Sequence, residues 1–290
     1  PLGRSSPISI RDGWPVTSGS QVIEESDVSP DGRWLVFDSN RRGTMDLYKM
    51  PVEGGEAVAL TADTGVEFEP RWSPDGREIA FYSVLSADTN VIMVMPASGG
   101  APVATWATWS MYTGYPEWSP SGRDIAFKMY TPHRRLQVWV MSRDSIGGLW
   151  HAPRLLTDLC AGPSDWAPDG TGVLCKSRVG SELLLVSHDG RVLWRYDLAA
   201  ALGLTVEGSR SFAGGVHYSR DGRTIYLAGV HRDGRRGIWA IPAVGGRARL
   251  AVAADDPAVM LLGPMSVGPD RLYLTVAEYE SDIWVAKLRW

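Results

Sequence analysis

"WSPDG" occupies Trp72–Gly76, and the chain writes it again with small changes. "VSPDG" stands at Val28–Gly32, "WSPSG" at Trp118–Gly122, "WAPDG" at Trp166–Gly170 and "YSRDG" at Tyr218–Gly222. Each copy places a large apolar residue before a tight turn. In that turn aspartate can bond nearby backbone, and glycine accepts a φ that other residues resist. The anchors Val28, Trp72, Trp118, Trp166 and Tyr218 are spaced 44, 46, 48 and 52 residues apart. A further 49 residues on, Val267 precedes "GPDR", the same turn without its glycine. That makes six units.

The units agree beyond the turn. A β-rich run follows each one: "RWLVFDS", "REIAFYS", "RDIAFKM", "TGVLCKS", "RTIYLAG", "RLYLTVA". A second run comes next: "DLYKM", "VIMVM", "QVWVM", "ELLLV", "GIWAI", "DIWVA". Glycine pairs then begin at Gly54, Gly99, Gly147 and Gly245, before weaker strands such as "AVALT" and "PVATW". With the stretch leading into the anchor, each unit of ~44 to 50 residues supplies four antiparallel strands, one propeller blade. The repeat therefore predicts an all-β fold, a six-bladed β-propeller of four-stranded antiparallel blades. A β-sandwich would have to match these landmarks by coincidence, and a solenoid would need capping ends.

Counting strands also predicts how the ring closes. The sixth unit ends in "DIWVAKLRW" and supplies only three strands. "WPVTSG", Trp14–Gly19, aligns with the outer-strand text of other units, so residues near Pro15 to Ser18 are expected to complete the last blade. Such pairing leaves no open edge. The expected boundaries are a leading remnant or linker at 1–11 and a single propeller at 12–290. Its blades fall near 20–61, 62–108, 109–157, 158–198, 205–254, and 258–290 with 12–19.

The composition, 44% apolar and 21% charged, is that of a folded globular chain. A net charge of −4 gives no general attraction for nucleic acid or anionic lipid. No apolar run reaches the ~20 residues that span a bilayer. Cys160 and Cys175 flank the fourth turn. If that turn joins paired strands, Cys175 faces position 163, and Cys160 lies ~10 Å away along the strand, which predicts two free thiols.

"SPDGRWLVFDSNRRGTMDLYKMPVEGGEAVALT", Ser29–Thr61, and "WSPDGREIAFYS" with "VIMVMPASGG" resemble the repeat of TolB-like propellers, a WD40-like repeat. The resemblance covers nearly the whole chain from about residue 12, with departures at Ser121, Arg220 and the glycine missing after Asp270. It implies three settings: an envelope protein-binding propeller, the gate of a prolyl-oligopeptidase or tricorn-type peptidase, or the sensor module of a larger bacterial protein. A periplasmic or a cytoplasmic location fits these equally.

No catalytic constellation stands out. There is no Gly-x-Ser-x-Gly elbow, no His-Glu-x-x-His and no phosphate loop, and His133, His151, His188, His217 and His231 are scattered. The expectation is a non-enzymatic, monomeric protein- or peptide-binding or sensor module, with no cofactor and no metal. The alternative is a peptidase gate or a propeller lyase. Since innermost strands line the channel, counting back from the anchors gives Glu25, Asp27, Glu69, Arg71, Tyr115, Glu117, Asp165 and His217. These form a mostly acidic mouth suited to a basic segment or a cation. Trp106, Trp109 and Trp150, outside the anchor positions, are candidates for contact surface.

Overall fold

The computed structural model describes residues 7–17, 21–62, 65–87, 89–108, 112–131, 135–178, 181–206, 215–256, 260–277 and 281–287. The Trp72–Gly76 turn is built from its own side chains. Ser73 donates its hydroxyl to Asp75 at 2.7 Å and accepts the Glu78 N–H at 2.9 Å, while Asp75 accepts the Arg77 N–H. Gly76 takes φ 70°. Ser29 with Asp31 and Ser219 with Asp221 repeat the arrangement. Serine and aspartate thus satisfy the backbone at a corner with no ladder partner.

These corners fold the chain into an all-β propeller of four-stranded antiparallel blades. Five sheets have that form. The first holds Ser26–Val28, Trp34–Ser39, Asp46–Pro51 and Val58–Ala59. The second and third begin at Val66–Trp72 and Thr113–Trp118, and the fourth at Cys160–Trp166. A fifth combines Met260–Val267, Arg271–Ala277 and Ser281–Lys287 with Trp14–Pro15 from the other end of the chain. Trp14 lies opposite Val285 and Pro15 opposite Trp284 in antiparallel register; Ser18 falls outside the described residues.

The remaining sheet has six strands. Val216–Tyr218, Thr224–His231, Arg236–Pro242 and Arg249–Ala253 are its blade-like part. Leu204–Val206 adds to Thr224–His231 just beyond Val216, after the short helix Leu198–Leu202, capped by the Asp197 carboxylate at the Ala200 N–H. Ile8–Ser9 pairs parallel with Arg249–Ala253, and Ile10 is buried in the neighbouring core. The expectation of a linker at 1–11 is corrected there: an apolar side chain beside an unpaired edge strand has somewhere favourable to go.

Innermost strands touch in order, from Ser26–Val28 through Val66–Trp72, Thr113–Trp118, Cys160–Trp166, Val216–Tyr218 and Met260–Val267, and back to Ser26–Val28. Between them the anchors act as wedges. The Trp118 indole N–H donates to the Arg71 carbonyl at 3.1 Å and that of Trp166 to the Glu117 carbonyl at 2.9 Å. The turns interlock too. A Cβ at Gly76 would sit 3.6 Å from Pro30, at Gly222 3.3 Å from Pro168, and at Gly32 3.0 Å from Pro269. Two of the three departures from the turn consensus fall in the consecutive fifth and sixth turns. Arg220 replaces the proline of the fifth turn, and Arg271 stands where the sixth would have its glycine.

Cys160 and Cys175 form a disulfide with Cα atoms 5.9 Å apart, so the expectation of two free thiols is corrected. Cys175 does face Pro163, but the strand is bulged between Cys160 and Pro163 and again between Pro163 and Asp165. Bulges take up residues without advancing the strand, which draws Cys160 back within bonding range. Among the described residues, no helix is long and apolar enough to cross a membrane.

Candidate functional site

The residues counted back from the anchors fall into two layers. Asp27, Arg71, Glu117, Asp165 and His217 each immediately precede an anchor, and all line one cavity of about 450 Å³. Pro30, Pro74 and Arg220 of the turns also line it, so it opens at the turn side, where the innermost strands end. Glu25, Glu69 and Tyr115 lie three residues before their anchors, are buried, and do not line it. The single-mouth expectation is corrected for these three. Glu69 and Tyr115 sit within the bulges that precede Arg71 and Glu117, which sets them deeper than the outer layer, and Glu25 lies behind Arg71.

Arg71 is the centre of the outer layer. Its guanidinium reaches Glu25 at 2.5 Å and Glu117 at 3.1 Å, with almost no solvent exposure. Asp27 accepts the Val28 N–H and, across the sheet gap, the Trp72 N–H, each at 2.8 Å. Asp165 does the same for Trp166 at 2.7 Å and Tyr218 at 2.8 Å. These two carboxylates therefore tie neighbouring sheets together as well as lining the cavity. His217 Nδ1 lies 3.8 Å from Asp165.

Burial dominates the protonation of this layer. It pushes the Glu117 carboxyl up to about 7, with Arg71 pulling in the opposite direction. Asp27 is raised by burial, against Arg71 and two backbone N–H donors. Burial pulls His217 down, but the hydrogen bond and charge of Asp165, helped by Glu117, leave it raised.

The inner layer is a different construction. Asp38 accepts the N–H groups of Glu24, Glu25 and Glu69 between 2.8 and 3.0 Å. Glu69 in turn accepts from the Tyr115 N–H and, at 3.3 Å, from the Tyr112 hydroxyl. Glu69 and Tyr115 both take positive φ, 55° and 54°, at matching positions. Lys128 lies buried 4.3 Å from the Tyr115 ring and 4.6 Å from that of Tyr112. Burial lowers its ammonium to about 8, against the pull of Glu69 and Glu25.

Sequence reasoning missed two cavity residues. Ser266 precedes Val267, so the same counting reaches it, but its neutral side chain carried no signal. In the sequence Arg220 marks only a departure from the turn consensus. Its guanidinium crosses the rim to the carbonyls of Pro30, Ser29 (3.1 Å) and Val267 (3.5 Å). Asp38 and Lys128 sit on second strands, where no counting from an anchor leads. Of the tryptophans, Trp150 packs against Trp118 at 5.8 Å, beneath Arg143, and Trp109 lies outside the described residues. Among the described residues, no group of three or more His, Cys, Asp or Glu side chains could hold a metal ion.

With this geometry in hand, residues 16–211 match the family described as the TolB β-propeller domain. The chain belongs to that family. A solved structure described as a TolB of Agrobacterium tumefaciens superposes with a TM-score of 0.66 at 18% identity, over 98% of this chain and 97% of that one. Bacillus subtilis peptidase YuxL is 46% identical over 66 residues, 22% of this TolB-family chain and 10% of YuxL. The Tol-Pal system protein TolB of Francisella tularensis is 38% identical over 52 residues, 18% of this chain and 12% of that protein. The chain thus matches well under two thirds of the length of these curated relatives.

Proposed function

We propose that this TolB-family propeller is a non-enzymatic binding module, a six-bladed ring in which the six-stranded sheet counts as one blade. Its partner is a protein or peptide, and its site is the turn-side mouth. One observation carries this reading: the residues just before the anchors, Asp27, Arg71, Glu117, Asp165, His217 and Ser266, of which only the aspartate recurs, converge on one cavity. Rigid scaffold with variable lining is how recognition sites are commonly built. The same face carries exposed apolar side chains on the outer hairpins. Leu149 is 87% and Val244 96% exposed. The hairpins share a face with the turns, since the Arg143 N–H bonds the Arg123 carbonyl and that of Ala243 the Arg223 carbonyl.

The test is site-specific photocrosslinking in a bacterial extract, with the photoreactive residue at exposed position 220 or at outer-edge position 193. A defined partner crosslinked at 220 and absent at 193 supports the reading. Equal capture at both, or none at 220, removes it.

A second reading, the gate of a peptidase or a propeller lyase, is favoured by the likeness to YuxL. It would place the reacting groups largely outside this chain, which has no Gly-x-Ser-x-Gly elbow. The gate form expects no peptidase activity of the isolated chain; lyase activity of the isolated chain, lost on Glu117→Gln but not Leu193→Ala, would favour the lyase form.

A further inference from the structure

The mouth cavity holds more negative charge than its own cations balance. Asp27, Glu117 and Asp165 line it, and Glu25 stands directly behind Arg71. Against these four carboxylates are two guanidiniums and the His217 imidazole, 3.8 Å from Asp165. The Arg71 guanidinium is shared between Glu25 and Glu117, and that of Arg220 is spread over the carbonyls of Ser29, Pro30 and Val267. Excess buried charge is costly unless a proton or a counter-ion answers it.

Unused polar atoms stand in the same place. Ser266 is 5% exposed and its hydroxyl has no hydrogen-bond partner among the described residues; the same holds for one Glu25 carboxylate oxygen. The indole N–H of Trp72, a residue 8% exposed, is also unpartnered, whereas the matching N–H groups of Trp118 and Trp166 are both bonded. Ser266 and Trp72 line the cavity. Buried polar groups are normally satisfied, so a hydroxyl and an indole N–H without partners, on residues that line the cavity beside surplus carboxylates, mark groups that a bound side chain would answer. Such a ligand would bring a cation, a donor for Ser266 and a carbonyl for Trp72.

We propose that the mouth accepts one lysine or arginine side chain of the partner, and that this charge enters as a proton leaves the cavity's carboxylates and His217. The inference rests on the mouth being the binding site. Glu117 faces Asp27 on the first sheet, Arg71 on the second, Asp165 on the fourth and His217 on the six-stranded sheet. His217 faces Asp165, Glu117 and Arg71. Burial pushes the Glu117 carboxyl up to about 7, so a proton there competes with an incoming cation.

The experiment titrates the whole chain with acetyl-Gly-Lys-Gly-amide, acetyl-Gly-Arg-Gly-amide and the neutral isostere acetyl-Gly-norleucyl-Gly-amide, read by calorimetry. One or both cationic peptides are expected to bind at least about tenfold more tightly than the isostere. Their affinity should rise several-fold from about pH 6 to about pH 8, approaching tenfold per unit where one proton leaves per cation. Ser266→Ala should weaken them several-fold while leaving the unfolding midpoint in place, because an unpartnered hydroxyl has no bond to lose. Equal affinity for the isostere, a flat pH profile, or no binding of any peptide up to about 10 mM overturns the inference. If partner crosslinking at position 220 persists while the peptides fail, only the cation inference falls. Peptide binding with no crosslinking at 220 removes the protein-partner reading.

Discussion

Arg71 shows how much one side chain can hold when it is buried between two others. Its guanidinium satisfies Glu25 and Glu117 on the adjacent sheets, and truncation leaves both carboxylates buried without a counter-charge. Arg71→Ala should cost about 3–5 kcal/mol in denaturant unfolding. Arg71→Lys should recover only part of this, because an ammonium lacks the fork that reaches both partners. Gly114 makes a steric counterpart. A Cβ there would meet Glu69 at 2.6 Å and the Tyr82 ring at 3.3 Å. Gly114→Ala should therefore lose about 1–3 kcal/mol, measured the same way, since Glu69 is fixed by the Tyr115 N–H and cannot yield freely.

At the scale of elements, the two ends of the chain and the disulfide carry the clearest consequences. Trp14–Pro15 completes one sheet, while Ile8–Ser9 and buried Ile10 extend the one beside it. Removing residues 8–15 should lower the thermal midpoint by roughly 10 °C or more, because it opens an edge and uncovers core. An unchanged midpoint would mean that these pairings contribute nothing. The Cys160–Cys175 bond joins adjacent strands of one sheet across 15 residues, and both cysteines are buried. Cys160→Ala with Cys175→Ala should cost about 3 kcal/mol, less whatever the apolar replacements return. Thiol titration should find no free thiol in the folded chain and two after unfolding in reductant.

For the whole molecule, the buried ring and the surface turns respond to pH with opposite signs. Burial keeps a proton on Glu117 up to about 7, while the unfolded chain releases it above about 4.5, so this group's effect on stability becomes less favourable across that interval as pH rises. His217, raised above 6.5, acts in the same direction: its contribution is full below 6.5 and lost as pH climbs through the folded value. Asp31 is held down to about 2 by Ser29 and the Arg33 N–H; it stabilises above about 3.8 and loses that contribution as pH falls toward 2. The thermal midpoint should therefore peak between about pH 4 and 5.5 and drop by several degrees by pH 8. A plateau from pH 5 to 8 would show that the ring does not hold these protons.

The repeated Ser-Pro-Asp-Gly text determined the all-β class, the blade plan and the residues that face the channel, because a strand period of two and a self-bonded turn are local properties. Position relative to the anchor was enough to find Asp27, Arg71, Glu117, Asp165 and His217, and the same count would have reached Ser266 had its hydroxyl drawn notice. Depth was decided elsewhere. Bulges before Arg71 and Glu117 set Glu69 and Tyr115 behind the cavity, Glu25 lies behind Arg71, and bulges beside Pro163 brought Cys160 to Cys175. Which carboxylates are already occupied was also invisible in the chain. Asp27 and Asp165 bond N–H groups 45 and 53 residues away, and Arg220 reaches carbonyls 190 residues away. Such partners become neighbours only when the ring closes, so tertiary structure alone shows which of these charges hold this propeller together.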